Sequence, residues 1–353
     1  MQVATQHFRT IWPDARCKFV EIIDQTKLPF TFEIARIESL EQMAHAIKTM
    51  QVRGAPLIGA AAAYGLALAM LHDDSNEYLQ QASQELISTR PTAVNLCWAV
   101  QRMQTHLLAL QPQQRNFAAW KEAAKIAEED VTQNQRIGQH GLALIKGLYQ
   151  NKQFNILTHC NAGWLATVDF GTALSPIFAA HDAGLSVHVW VSETRPRNQG
   201  AALTAWELAQ HGVPHTVITD NAGGYLIQKG LVDMVIVGAD RVTATGDVCN
   251  KIGTYLKALA AFDNKIPFYA AVPTPTIDWD ISNHHEIEIE HRHADEVAYL
   301  QGLGADGSMQ MVRVIPQASI AANPAFDVTP ARLVTGIITE QGVFAPQQLQ
   351  QLI

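Results

Sequence analysis

Four Val/Ile-rich runs in this 353-residue chain end in reactive or charged side chains. They are His159-Cys160-Asn161 after FNILT, Glu193-Thr194-Arg195 after SVHVWVS, Asp220-Asn221 after PHTVIT, and Gly238-Ala239-Asp240-Arg241 after VDMVIV. A thiol, a carboxyl and several cations delivered to one edge mark a functional edge rather than a solvated loop. The carboxyl can act as an acid near neutral pH only if burial raises its pKa, and the apolar run MVIVGA before Asp240 suits that. Arg241 would oppose the shift if it pointed inward, so it is expected to point away. Cys160 precedes an Asn161-Ala162-Gly163 turn into a helix, where free N–H groups could lower a thiol pKa, and whether it acts as a thiolate base or as a neutral group stays open. Cys17 and Cys97 read as apolar core cysteines.

Anion binding calls for cations and backbone N–H groups. Arg53-Gly54-Ala55 stands just before an apolar helix, and Gly54 would let backbone N–H groups approach an anion. Asn250-Lys251 is expected to open a helix over 250–264 and to add a positive charge at its start. Arg90, followed by Pro91-Thr92, precedes another helix. The His-rich stretch 282–297 contains His291-x-His293, but no second ligand pair accompanies it, so it reads as a solvated or interface segment rather than a metal site. No P-loop pattern occurs, which speaks against nucleoside-triphosphate chemistry.

The elements that must hold these residues fall into two textures. Up to about residue 148 the chain reads as mainly helical with a small β element. LPFTFEIARI (28–37) is a strand or hairpin arm, and Ser39 with Gln42 forms a capping box for the helix that follows. Helical spacing continues around 55–71, 76–88, 93–109 and 116–149, with Gly138 and Gly141 as places where the last helix would bend. From residue 153 the apolar runs alternate with helical stretches at 164–183, 199–211, 222–230 and 250–264. Continuous apolar strands between helices indicate a parallel sheet covered on both faces. The fold class is therefore α/β, with residues 1–148 as a mainly helical N-terminal domain and 149–353 as a Rossmann-like catalytic domain.

Bulk properties agree. The chain is 48% hydrophobic and 16% charged, with a net charge of −8. That balance disfavours nucleic acid and anionic membrane as partners. The N-terminus shows no signal-peptide pattern. Residues 55–71 are apolar but rich in Ala and Gly, the composition of a tightly packed core helix rather than a membrane span. Four cysteines without CxxC spacing fit a reducing, cytoplasmic setting.

The motifs VRGAPLIGAAAAYG (52–65), THCNAG (158–163), ETRPRNQG (193–200), ITDNAGG (218–224), VGADRV (237–242) and GDVCNKIGTYLKA (246–258) resemble the methylthioribose-1-phosphate isomerase family of methionine salvage. NPAFDVTPARLVTGIITEQG (323–342) extends the likeness almost to the C-terminus. The wider superfamily includes ribose-1,5-bisphosphate isomerase and the alpha, beta and delta subunits of the translation-initiation exchange factor. Those subunits generally lack the catalytic pair, whereas Cys160 and Asp240 are both present here. The chain departs from the family's common IEER at Ile289-Glu290-His291-Arg292.

The resemblance implies an aldose–ketose isomerase with Asp240 as proton donor and Cys160 as its partner across the sugar. It implies substrate contacts at Arg53, Gly54, Ala55, Arg90, Gln199, Asn250 and Lys251. It further implies a homodimer that needs no cofactor and no metal. The alternatives are an isomerase of another pentose phosphate, such as ribose 1,5-bisphosphate or 5-deoxyribose 1-phosphate, or a non-catalytic regulatory subunit of the exchange-factor type.

Overall fold

The computed structural model describes residues 2–4 and 6–352. An antiparallel three-stranded sheet near the N-terminus has Val20–Ile23 at its centre, flanked by Ile11–Pro13 and Ile34–Ile37. The strand expected over 28–37 is confined to its last four residues. Pro29, which offers no N–H to a ladder, lies in the turn that precedes it.

Helices α1 (Leu40–Thr49), α2 (Ala55–His72), α3 (Asn76–Thr89), α4 (Val94–Leu108) and α5 (Pro112–Leu148) follow. Ser39 caps α1 by accepting from Gln42 N at 3.3 Å, and Gln42 Oε1 reaches back to Glu38 N at 2.7 Å. The reciprocal bond thus falls one residue earlier than in a standard capping box. Helix α2 is long and apolar enough to cross a membrane, yet 83% of it is buried in the protein. Its Ala-rich surface packs closely against both α4 and α5, as the surface of a core helix does.

Helix α5 runs unbroken through both glycines that were expected to bend it. A Cβ at Gly138 would lie 2.3 Å from Ser175 Oγ, and one at Gly141 2.3 Å from Pro176 Cγ. The glycines therefore allow α6 (Leu174–Asp182) to lie against α5. The first half of α5 contributes Ala119, Ala123, Ile126 and Ala127 to the helical core, and its second half contributes Ile137 and Ile145 to the core beside the sheet.

The main sheet has seven strands in the order Gly342–Phe344, Gly336–Thr339, Phe268–Ala271, Met234–Val237, Phe154–His159, Val187–Ser192, His215–Ile218. All neighbours are parallel except the terminal Gly336–Thr339/Gly342–Phe344 hairpin. Side chains alternate between two cores. Ile156, Met234, Ile236 and Ala271 face the α5/α6 side, while Leu157, Val235, Val237 and Ala270 face the side covered by α8 (Ala222–Gln228) and α9 (Thr254–Asp263). Such two-sided burial is why these strands read as continuous apolar runs. Numbered along the chain, the six parallel strands follow the order 3-2-1-4-5-6. The order reverses between Phe154–His159 and Met234–Val237, and in doubly wound folds this crevice takes the ligand.

Two expected helices are shorter than the sequence suggested. Over 164–183 there is a single 3-10 turn at Trp164–Ala166 and then α6, because Thr167 Oγ1 accepts from Gly171 N at 3.1 Å and Gly171 turns with φ +81°. Asn250 and Lys251 do not open a helix. They end the strand Val248–Lys251, which pairs with Arg241–Thr243 and Phe326–Thr329 in a second, four-stranded sheet. Asp327 accepts from the N–H groups of Gly253 (2.7 Å) and Tyr255 (3.1 Å), which sets the start of α9 at Thr254. The helix expected over 199–211 is divided into a π-type turn, Gly200–Thr204, and α7, Ala205–Gln210.

Candidate active site

Cys160 and Asp240 follow the two strands that bound the switch point. Cys160 adopts a left-handed backbone with φ +65°, uncommon for a residue with a side chain and held there by its surroundings. Its N–H donates to Thr194 Oγ1 at 2.8 Å, its carbonyl accepts from Thr204 Oγ1 at 2.7 Å, and its Sγ lies 3.3 Å from Gln199 Oε1. Thr194 is itself left-handed, at φ +66°. Asp220 fixes that segment by accepting from Ser192 Oγ (2.6 Å), Thr194 N (2.8 Å) and Arg195 N (2.8 Å).

Burial raises the Cys160 thiol pKa, only partly offset by the nearby charges of Arg53 and Lys251. No helix N-terminus counters that rise. Only the short turn Trp164–Ala166 follows, and it is too brief to aim a set of free N–H groups at the sulfur.

The Asp240 main chain is anchored by its N–H to Cys249 O at 2.9 Å. Its half-buried carboxyl has neither a hydrogen bond nor an ion pair among the described residues. Burial raises its pKa, while Lys251, Arg90 and Arg53 pull it down and Glu290 pushes it up. Arg241 points away, to Asp278 at 3.2 Å and Thr92 O at 2.9 Å.

Three cations converge on this pair. Arg53 is buried, and its guanidinium donates to Asn161 Oδ1 and, at 2.8 Å, to Asn161 O. Gly54 caps α2 with φ +98°, and a Cβ there would lie 2.5 Å from Ala166 Cα, so only glycine fits. Ala55 is the buried first residue of that helix. The Lys251 ammonium lies 4.4 Å above the Phe326 ring, and its pKa is lowered by burial against the charges of Cys160 and Asp240. No protein oxygen accepts a hydrogen bond from it among the described residues, so this cation remains available to a ligand anion. Arg90 pairs with Glu290 at 3.2 Å.

The sequence-derived residues therefore assemble, with one distinction. Asn250 is buried beside the site, but its Nδ2 is spent on Thr254 Oγ1 at 3.0 Å. A narrow crevice lined by Thr194, Gln199, Lys251 and Arg292 leads along Pro196, Arg197 and Glu296 to a cavity of about 420 Å³. The cavity wall is mainly apolar, with Leu28, Phe30, Met50, Leu300 and Met311 facing Arg53 and Gln199.

Sequence reasoning missed Arg292, Glu290 and Glu207. Arg292 bonds Glu296 at 2.7 Å, and its charge is felt at Lys251. The near match to IEER was the available signal for Glu290 and Arg292. Glu207 lies within AWELAQ, which reads as an ordinary amphipathic helix. In the fold it is completely buried, and burial pushes its carboxyl up to about 7. His293 is exposed beside Asp295 at 3.3 Å, outside this cluster.

Residues 51–346 match the model of the Initiation factor 2 subunit family. Methylthioribose-1-phosphate isomerase of Rhodospirillum rubrum is 61% identical, over 98% of this chain and 91% of that protein. The Acidiphilium cryptum protein of the same name is 60% identical, over 99% and 96%. Among solved structures, 5-methylthioribose 1-phosphate isomerase from Pyrococcus horikoshii OT3 superposes with a TM-score of 0.83 at 40% identity, covering 99% of this chain and 96% of that one. The translation initiation factor eIF-2B subunit delta from A. fulgidus superposes with a TM-score of 0.80 at 41% identity, covering 97% of each chain. With the family model spanning most of its length and relatives of one name at this level of identity, the chain belongs to the Initiation factor 2 subunit family, alongside its methylthioribose-1-phosphate isomerases.

Proposed function

We propose that the cleft converts 5-methylthio-ribose 1-phosphate to 5-methylthio-ribulose 1-phosphate, the aldose–ketose step of methionine salvage. The observation that carries this reading is the Asp240 carboxyl, raised in pKa and without a hydrogen bond or ion pair among the described residues, close enough to the Cys160 thiol to raise its pKa and within the field of Arg53, Arg90 and Lys251. Relatives of that name at 56–61% identity support the substrate.

The phosphoester at C1 forbids a free aldehyde, so the ring must open by another route. Protonated Asp240 gives its proton to the ring oxygen as the bond from that oxygen to C1 breaks, leaving C1 electron-poor. The hydrogen on C2 then passes to C1 with its electron pair. The C2 hydroxyl gives its proton back to Asp240 and becomes the ketone. Atoms and charge balance, and the acid is regenerated. A thiol held neutral is a poor base, which favours this hydride route over removal of the C2 hydrogen as a proton. Cys160 then serves as an uncharged wall across the sugar.

Lys251, Arg53 and Arg90, with Gly54, Ala55, Gln199 and Asn250, bind the phosphate and the hydroxyls. Residues 1–148 and 149–353 act as two units whose approach excludes water from the crevice. By the same reading the enzyme is a cytoplasmic homodimer that works without a metal or cofactor. Turnover of methylthioribose 1-phosphate and ribose 1,5-bisphosphate by purified protein, measured side by side, tests the assignment. A preference for the bisphosphate, or no turnover of either, would overthrow it.

A further inference from the structure

Arg53 enters the cleft on a buried relay that no substrate-binding role accounts for. Its guanidinium donates to both the side-chain and main-chain oxygens of Asn161. Asn161 Nδ2 donates to Thr204 Oγ1 at 3.1 Å and to Glu207 Oε1 at 2.7 Å. Glu207 also accepts from Trp164 N at 2.8 Å and from Leu165 N at 3.3 Å. Glu207 and Asn161 are buried, and a Cβ on Gly163 would lie 2.0 Å from Glu207 Oε2. The carboxylate is therefore seated directly against the loop that follows Cys160.

The relay has a direction set by chemistry. An amide presents one accepting and one donating end, and both Glu207 oxygens accept here from N–H donors. Glu207 therefore forces Nδ2 of Asn161 toward itself and leaves Oδ1 toward Arg53. We infer that Glu207 is a positioning residue for the reaction: by orienting the Asn161 amide it locks Arg53 in the pose that receives the substrate's anion. The inference rests on the role proposed above for Arg53.

Glu207→Gln tests it. Glutamine keeps the volume, but in either amide orientation it sets an NH₂ group against an N–H donor, so the relay loses its fixed polarity. The expected result is a rise of about tenfold in KM for the phosphosugar and in the inhibition constant of inorganic phosphate, with kcat changed less than about twofold. The decisive measurement is the same substitution made in an Arg53→Ala background. There Glu207→Gln should move KM by less than about twofold, because the group it positions is gone. A folded Glu207→Gln enzyme with unchanged KM, or an equal rise in both backgrounds, would overturn the inference. An Arg53→Ala enzyme with ordinary KM would instead sink the assigned role of Arg53, and the relay's purpose with it. Should Glu207→Gln fail to fold, Asn161→Ala breaks the relay at its other joint, and the same pairing with Arg53→Ala decides the matter.

Discussion

Gly238 and Ala162 meet where the loops that carry Asp240 and Cys160 cross at the switch point. A Cβ on Gly238 would stand 2.6 Å from Ala162 Cβ. The two loops can approach this closely only because one of them has no side chain there. Gly238→Ala should push them apart, lowering kcat/KM by about tenfold or more and costing ~1–3 kcal/mol of stability. Steady-state kinetics beside a denaturant titration checks both numbers, and an alanine variant with ordinary activity would refute the contact.

Asp240→Asn should lower kcat by at least about 10²-fold, and Cys160→Ser, which sets a more polar hydroxyl against the path of the hydride, by about tenfold, while the thermal midpoint of each changes little. Because Asp240 acts in its protonated form, activity should fall as pH rises through its raised pKa. Asp240→Asn should abolish that limb of the pH–rate profile along with turnover. Near-normal kcat in Asp240→Asn would exclude it as the acid, and near-normal kcat in Cys160→Ser would exclude the thiol's role beside the hydride path.

Lys251→Ala removes a buried cation whose ammonium, among the described residues, has a ring face but no hydrogen-bond acceptor. KM for the phosphosugar should rise about 10- to 100-fold, the loss expected for one charge-assisted contact. An unchanged KM would remove Lys251 from the phosphate site.

Asp130 offers a test of stability that is independent of catalysis. Burial raises its carboxyl to about 7, although Val168 N and Asn134 Nδ2 bond to it at 2.7 and 2.9 Å. Its folded pKa thus lies above the unfolded value of 3.8. Between these pH values the folded state holds a proton that the unfolded chain releases. The Asp130 contribution is therefore full below about pH 4 and is lost as pH rises to about 7. Urea midpoints of the parent and Asp130→Asn at pH 5 and pH 7.5 should show a smaller pH dependence in the variant, and parallel curves would contradict the assignment.

The two textures of the chain were legible because each periodicity has one packing solution. Strands buried on both faces carry continuous apolar runs, and α2 to α5 carry helical spacing. Cys160 and Asp240 stood out because chemistry-bearing residues closed those runs. Asn250 and Lys251 were misplaced on a helix because VCNK has no local feature that reveals its pairing with Phe326–Thr329, more than seventy residues away. Gly138 and Gly141 looked like weak points in α5, whereas Ser175 and Pro176 turn them into contacts. The charge state of the Cys160 thiol was open at the level of sequence, and burial behind only a short turn raises its pKa.

Local order in the chain settled the fold class, the strand ends that matter and the family, since side-chain periodicity and short motifs are properties of neighbours in sequence. Which groups share a cleft, which carboxyl is seated against which N–H, and whether a buried thiol is charged depended on the packed molecule. These are matters of distance and dielectric between distant segments. Glu207 is the plain case: unremarkable within its helix, it acquires a role only where Asn161 and Arg53 are folded against it.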